Sequence, residues 1–244
     1  MAEAPWPPVL AILAGGLGTR LGRLTATLPK VLVPVAGEPF LAHQLRLVRR
    51  SGIERVVLCT GHLGEQVAAF VGDGSAFGLT VTCVADGPDL AGTGGAIARA
   101  LPWLGDPFLV MYGDSYLELP YLAVAEAFRR SGAQAMMTIL QNADRWERSN
   151  VLFAEGRIRR YSKRRRSPEM RHVDYGLSLF RASLFAGRES PWDLAELLEE
   201  LAEHGELAGY EVTRRFYEIG SPQGLTEFEA HLRSGHSGDE NPAR

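Results

Sequence analysis

Along the first half of the chain, uninterrupted apolar runs of strand length alternate with segments whose apolar residues recur every three or four positions. Val9, Leu10, Ala11, Ile12 and Leu13 form the first such run. Residues 40–50 (FLAHQLRLVRR) place Leu41, Leu45 and Val48 on one helical face, with arginines at the C-terminal end where the helix dipole favours cations. Ser51-Gly52 ends that helix, and RVVLCT (55–60) reads as a buried strand. GEQVAAFVGDG (64–74) reads as a short amphipathic helix closed by glycines, and LTVTCVA (79–85) as a strand. GTGGAIARAL (92–101) is a glycine-led turn entering a helix, and PFLVMYGDS (107–115) an apolar strand ending in Gly113-Asp114. This rhythm predicts an α/β fold with a mostly parallel sheet and helices on both faces.

The second half is less regular. AEAFRR (125–130) ends a helix and AQAMMTIL (133–140) is a strand. SNVLF (149–153), RIRRYSK (157–163) and DYGLSLF (174–180) read as shorter strands of a small antiparallel excursion. DLAELLEELAEHG (193–205) is a helix with Leu194, Leu197, Leu198 and Leu201 inward, and RRFYEIG (214–220) is a last strand. Ser221 followed by Pro222 supplies an N-cap and an N1 proline for a final helix. The expectation is a single Rossmann-like domain over residues 9–233, with flexible termini at 1–8 and 234–244.

Composition narrows the function classes. The 244 residues, 45% of them hydrophobic, suffice for a sizeable core. A net charge of −3 argues against generic nucleic-acid binding. Cys59 and Cys83 both lie in apolar strand-like runs, so buried reduced thiols are expected, with no disulfide framework or zinc site. No apolar stretch approaches the roughly twenty residues of a membrane span, and MAEAPWPP lacks the features of a secretory signal, so a cytoplasmic location is expected.

The loop after the first strand carries the most chemistry. It holds Gly15, Gly16, Gly18 and Gly22, with Arg20 inside it and Lys30 shortly after. Glycines let a backbone approach a ligand closely, their N–H groups can point at phosphate oxygens, and the two cations add full charges. Together these describe a site for a highly anionic small molecule. A P-loop is excluded because the chain contains no Gly-Lys pair. A dinucleotide fingerprint is damaged: Gly16 and Gly18 fit, but Leu21 stands where the third glycine belongs, although Glu38 lies where a ribose-binding acid would.

Ligands of such sheets bind beyond the carboxyl ends of the strands. Asp114 and Gly92 to Gly95 belong to that rim, and Glu218, in YEIGSP, joins them if the last strand lies beside the others. A carboxylate facing a phosphate-rich pocket suits Mg²⁺, which prefers hard oxygens and is usually held by one or two carboxylates plus substrate phosphates. Lys163 stands in a basic run with Arg157, Arg159, Arg160, Arg164, Arg165 and Arg166, a solvated face from which at least one cation can bind a second phosphorylated substrate. His43, His62, His172 and His204 show no spacing of a metal box or triad.

Together these residues resemble the sugar-1-phosphate nucleotidyltransferase family. The family's opening motifs stand here as LAGGLGTRL (13–21) and PKVLVPVAGEPFL (29–41), followed in order by GTGGA (92–96) and YGDS (112–115). The likeness spans roughly residues 9–232. The phrases GHLGEQV, GDGS-x-FG and GTGGAI resemble most the heptose-1-phosphate guanylyltransferases and the N-acetylmuramate-1-phosphate uridylyltransferases.

The resemblance implies transfer of a nucleotidyl group from an NTP to a sugar 1-phosphate, with Mg²⁺ and with no nucleic-acid or membrane partner. It neither requires nor excludes a homo-oligomer. It implies nucleotide binding by Leu13, Ala14, Gly15, Gly16, Gly18 and Thr19, with Thr93, Gly94 and Gly95 near base and ribose. It gives the triphosphate and the catalytic charge to Arg20 and Lys30, the sugar phosphate to Lys163 and Gly176, and the metal to Asp114 and Glu218. Two positions depart from the pattern: Ser162 stands where a glutamate precedes the lysine, and Glu218 where an aspartate is usual. Asp86 and Asp89 lie in the base-reading segment, and a carboxylate there can accept hydrogen bonds from guanine, which favours GTP and a heptose- or mannose-like sugar. The rival readings are a non-catalytic regulatory homologue that binds a nucleotide sugar and a dinucleotide-dependent oxidoreductase.

Overall fold

The computed structural model describes residues 8–87 and 90–235, so Asp89 and the outer parts of both expected flexible termini lie outside it. Pro8 is buried, and Ser234 and Gly235 hydrogen-bond back to the carbonyls of the last helix. The first strand, β1 (Val9–Leu13), leads through the glycine loop and 3₁₀ turns into a two-stranded ribbon, β2 (Pro34–Val35) with β3 (Glu38–Pro39). Then follow α1 (Phe40–Arg50), β4 (Arg55–Thr60), α2 (Gly64–Val71), β5 (Thr80–Ala85), α3 (Gly92–Leu104) and β6 (Phe108–Tyr112). The second half adds β7 (Ser115–Tyr116), α4 (Tyr121–Ser131), β8 (Ala135–Gln141), β9 (Val151–Ala154), β10 (Arg157–Tyr161) and β11 (His172–Phe180). It ends with α5 (Leu194–Glu203), β12 (Leu207–Val212), β13 (Tyr217–Glu218) and α6 (Pro222–Arg233).

Nine strands form one mixed sheet in the order β5-β4-β1-β6-β11-β8-β12-β10-β9. β1 is central to the parallel block, pairing Leu10 with Val56 of β4 on one side and with Leu109 of β6 on the other. Its alternate residues enter different cores. Leu10 and Ile12 pack with Leu41, Leu45 and Val48 of α1, Val67 of α2 and Val124 and Phe128 of α4. Val9 and Ala11 pack with Ile97 and Ala100 of α3 and with Leu194, Leu197, Leu198 and Leu201 of α5. Helices therefore cover both faces, which is why strands in this block are apolar throughout rather than alternating.

Three expectations change. Parallel pairing joins β5-β4-β1-β6 and, separately, β8 with β12, whereas β11 runs antiparallel to both β6 and β8 and β10 antiparallel to β12 and β9, so the sheet is mixed and "mostly parallel" overstates it. β11 is the nine-residue strand at the sheet's centre rather than a short member of an excursion, because its apolar run is buried on both sides. The last strand is only Tyr217–Glu218, and it pairs with β7 instead of joining the main sheet, while LAGYEV (207–212), not foreseen as a strand, fills the sheet position beside β8. A small third core of Val35, Phe40, Tyr116, Ile219 and Phe228 fixes that β7–β13 ribbon under α6. As expected, Ser221 caps α6 by accepting from the Gly224 N–H. No helix among the described residues is long and apolar enough to cross a membrane.

Candidate active site

Three strand ends meet at the glycine loop with no space for side chains between them. The Ala14 N–H donates to the Cys59 carbonyl (2.8 Å) and the Gly113 N–H to the Leu13 carbonyl (3.0 Å). A Cβ on Gly113 would lie 2.5 Å from the Leu13 oxygen, and one on Gly61 2.9 Å from the Gly15 oxygen. These contacts draw β1, β4 and β6 together, so that Leu13, Ala14, Gly15 and Gly16 form one wall of a cavity of about 280 Å³. Lys30, Asp86, Thr93, Tyr112 and Asp114 line the rest. Gly18 shapes the loop instead of lining this cavity: its φ is +63°, its carbonyl accepts from Thr25 Oγ1 (2.9 Å), and a Cβ there would sit 2.8 Å from Thr25. Thr19 is exposed on the same loop.

The second glycine turn has a more structural part than its motif implies. Gly92 and Thr93 line the cavity, whereas Gly94 and Gly95 are buried and do not. The Thr93 hydroxyl is committed to the start of α5, donating to Asp193 (2.9 Å) and accepting from the Leu194 N–H (2.8 Å). The Gly94 N–H donates to the Trp192 carbonyl (3.0 Å), and a Cβ on Gly94 would stand 2.2 Å from the Trp192 ring. Gly94→Ala is therefore expected to destabilise. The overpacking cost of roughly 1–3 kcal/mol outweighs a helix-propensity gain of at most about 1 kcal/mol, because an indole wedged in a core cannot step aside. Thermal unfolding should show a Tm lower by roughly 2–6 °C for a chain of this size; an unchanged Tm would contradict that packing role.

A second cavity of about 220 Å³ adjoins the first and shares Tyr112 and Asp114 with it. Arg20, Asn150, Lys163, Gly176, Asp174, Glu147 and Glu218 line it. At the boundary the Lys30 ammonium donates to Asp114, an ion pair whose side chains are only 14% and 20% exposed. Lys163 Nζ lies 5.0 Å from the centre of the Tyr112 ring and donates to its hydroxyl (3.4 Å). Gly176, at φ +104°, sits at an irregularity in the β11–β8 ladder, and its N–H donates to Asp174 Oδ1 (3.0 Å).

Four carboxylates crowd this second cavity. Burial raises Glu218, the neighbouring charges of Glu147 and Asp114 raise it further, and Arg20 and Lys30 oppose them. Glu147 is raised by partial burial and by Asp174 and Asp114, against Arg20 and Arg166, although the residue itself is exposed at the loop surface. Burial raises Asp174, and Lys163 and the Gly176 N–H hold it down. The β7–β13 ribbon sets Glu218 opposite Ser115, and the Ile219 N–H donates to the Asp114 carbonyl (2.9 Å). Gly220 keeps the junction open, since a Cβ there would lie 2.7 Å from the Arg20 guanidinium and 3.3 Å from Asp114 Oδ2.

The donor set at this junction suits Mg²⁺. Asp114, in the turn before β7, and Glu218, on β13, offer hard carboxylate oxygens whose mutual repulsion a divalent cation would relieve. No cage of three or more His, Cys, Asp and Glu side chains exists among the described residues, so further ligands would come from substrate phosphates and water. Neither thiol supplies a nucleophile: burial pushes Cys59 up to about 12 and raises Cys83 as well.

The structure adds residues that motif reading missed. Gln44, 1% exposed on α1, donates from Nε2 to the Ser115 carbonyl (2.7 Å) and to the Tyr112 carbonyl (3.3 Å), fixing the turn that presents Asp114. Its signal was a polar residue beside Leu41 and Leu45 on an apolar helical face. Asp174 was visible as a carboxylate at the edge of an apolar strand. Glu147 gave no sign in the sequence. Ser162, where the pattern departs, is buried and its hydroxyl accepts from the N–H groups of Arg164 (3.2 Å) and Arg165 (2.9 Å), so it folds the basic loop instead of facing the cavity.

Comparison with known proteins places the chain in a family. The Nucleotidyl transferase family matches residues 10–234. The N-acetylmuramate alpha-1-phosphate uridylyltransferase of Neisseria meningitidis is 41% identical over 116 residues, 46% of this chain and 49% of that protein. The mannose-1-phosphate guanylyltransferase of Mycobacterium tuberculosis is 30% identical over 232 residues, 92% of this chain and 64% of the relative. The matches thus span about half to under two thirds of the length of these curated relatives. Among solved structures, HddC from Yersinia pseudotuberculosis complexed with GMP-PN superposes with a TM-score of 0.76 at 21% identity, covering 92% of this chain and 99% of the other. The inositol-1-phosphate CTP transferase from T. maritima gives 0.76 at 21% identity, covering 98% and 100%. A glycine loop walling one cavity, a charged second cavity beside it and a family match over nearly every described residue lead to one conclusion: the chain belongs to the nucleotidyl transferase family.

Proposed function

We propose that the chain joins an NTP to a sugar 1-phosphate, giving an NDP-sugar and pyrophosphate. The observation that carries this reading is the pair of cavities meeting at Tyr112 and Asp114, with Lys30 in one, Arg20 and Lys163 in the other and carboxylates at the boundary. In this reading the NTP occupies the glycine-walled cavity and the sugar phosphate the cavity of Lys163 and Gly176. A phosphate oxygen of the sugar attacks the α-phosphorus. The bond to the bridging oxygen of pyrophosphate breaks, and pyrophosphate leaves with the electron pair.

The attacking phosphate is already ionised, so no protein base or nucleophile is required. The obstacle is bringing two polyanions together, and catalysis rests on positioning and charge compensation. Lys30 would hold the triphosphate and Lys163 the sugar phosphate, while Arg20, expected at the triphosphate but lining the second cavity, would meet the phosphates where the two substrates join, each charge-assisted contact contributing about 1.5–3 kcal/mol. Mg²⁺ held by Asp114 and Glu218 would neutralise phosphate charge when bound. Gln44 keeps the Asp114 turn in place and Gly220 leaves room for Arg20 beside it.

For the base, we favour guanine. Asp86 is buried at the floor of the first cavity, and its carboxylate can accept from the N1–H and N2–H of guanine. A heptose- or mannose-like acceptor and a cytoplasmic location complete the proposal. The regulatory reading needs a lost triphosphate or metal residue, yet Arg20, Lys30 and Asp114 are all present. The test is a pyrophosphate-release panel crossing GTP, UTP, CTP, dTTP and ATP with several sugar 1-phosphates in the presence of Mg²⁺. Release is expected with at least one pair, and with GTP above the rest; silence across the panel would overturn the assignment.

A further inference from the structure

Asn150, just before β9, ties the start of β11 to the end of β10. Its N–H donates to the His172 carbonyl (2.9 Å) and its carbonyl accepts from the Ser162 N–H (3.1 Å). Its side-chain Oδ1 accepts from the Asp174 N–H (3.0 Å). Only the oxygen of the amide can accept there, so the side-chain orientation is fixed and Nδ2 is the donor left over. Asn150 is 7% exposed and lines the second cavity, and its Nδ2 has no partner among the described residues. This nitrogen is not sealed inside the fold, as the Gln44 Oε1 and the Tyr175 hydroxyl are, but opens on the cavity.

Asp174 stands beside it on the same wall. Its Oδ1 accepts from the Gly176 N–H (3.0 Å) and its Oδ2 from the hydroxyl of Tyr161 (3.3 Å), a residue 2% exposed. A carboxylate offers about four acceptor positions, so each oxygen keeps one in hand. Ser162, where the family pattern has a glutamate, turns to its own loop, and the carboxylate that feels the Lys163 charge comes from β11 instead. The Asp174 N–H bond to Asn150 therefore locks a spare donor and a spare acceptor together, both held by buried neighbours and both facing one cavity.

We propose that Asn150 and Asp174 jointly read one hydroxyl of the acceptor sugar. Asn150 Nδ2 donates to the hydroxyl oxygen, and Asp174 accepts the hydrogen bond from the O–H. A hydroxyl meets both demands at a single atom, whereas a hydrogen or a methyl ether in its place leaves at least one group unpaired where water is largely excluded. The inference rests on the second cavity being the acceptor site, and it names the residues that select among acceptors there.

The test compares mannose 1-phosphate and glucose 1-phosphate with their 2-, 3-, 4- and 6-deoxy analogues, by pyrophosphate release at saturating NTP. Loss of one particular hydroxyl should lower kcat/KM by at least about 100-fold, far more than loss of the others. Asn150→Asp confronts that hydroxyl with two acceptors and Asp174→Asn with two donors. Either variant should raise the acceptor KM at least about ten-fold and flatten the deoxy penalty, with the KM for NTP within about two-fold and the melting temperature little changed. The double variant Asn150→Asp/Asp174→Asn exchanges donor and acceptor at constant charge, so it should recover most of the lost acceptor affinity. Equal rates for all analogues, a penalty that survives the single variants, or a double variant no better than the singles overturns the pair while leaving nucleotidyl transfer standing. Absence of release with every acceptor overturns the transfer reading instead. A readout without turnover is the ¹⁵N side-chain amide signal of Asn150, identified by its loss in Asn150→Asp. It should shift when either hexose 1-phosphate is added, and a signal unmoved by both overturns the pair.

Discussion

Asp114→Asn is expected to lower kcat/KM for pyrophosphate release by at least about 100-fold at saturating Mg²⁺, the size of loss seen when one preorganised charge-stabilising group is removed. The substitution keeps the shape of the side chain and its hydrogen-bonding oxygen, so the turn held by Gln44 and the Gly113–Leu13 contact should survive. What disappears is the negative charge. Lys30 loses its ion-pair partner, Glu218 loses one of the two charges that raise it, and the proposed divalent cation would lose one of its two protein ligands. Circular dichroism and thermal unfolding should remain close to those of the unaltered chain, since the pair is partly open to solvent and the amide can still accept from Lys30. Turnover near the original level in Asp114→Asn would remove the metal role from this carboxylate and, with it, the placing of the reaction at the junction of the two cavities.

Arg20→Ala should cost a comparable factor, about 10²–10³ in kcat/KM. Arg20 lines the acceptor cavity, and its guanidinium reaches Gly220 beside Asp114, where the two phosphorylated substrates would meet. It also offsets the charges on both Glu147 and Glu218, so its removal leaves the carboxylate cluster less compensated as well as the phosphates. Arg20→Lys should fall between the two, because an ammonium keeps the charge but loses the planar fork that meets phosphate oxygens in two directions. Steady-state kinetics with the NTP and the sugar phosphate varied separately would check this. Equal activity in the alanine variant and the unaltered chain would place the compensating charge elsewhere.

The legibility of this site was uneven, and the reasons are physical. The glycine loop could be read directly because its demands are local: strand ends that approach within van der Waals distance admit no side chain, and only glycine meets that requirement. Gly15, Gly61 and Gly113 are such positions, and each stands in a phrase that carries the resemblance: LAGGLGTRL, GHLGEQV and YGDS. The glycines at 94 and 95 show the opposite case. Their motif pointed to the nucleotide, but the atoms nearest to them belong to Trp192 and Ser190, nearly a hundred residues away in the chain. Glu218 was named for the right region by the wrong route. The strand expected beside the main sheet is a two-residue ribbon with β7, and it is that ribbon which brings the carboxylate to Asp114.

By itself the sequence determined the alternation of strands and helices in the first half, the Ser221 cap of α6, and the clustering of glycines and cations in one loop, because each follows from nearest-neighbour periodicity and backbone freedom. It also determined the family. Only the tertiary structure decided that β11 runs antiparallel through the centre of the sheet, that Gln44 braces the Asp114 turn and that Ser162 faces its own loop. The same holds for Glu147 and Asp174, which meet in the second cavity although 27 positions separate them. Such meetings depend on which strands pair across the sheet, and pairing is a choice among long-range burials that no local pattern encodes.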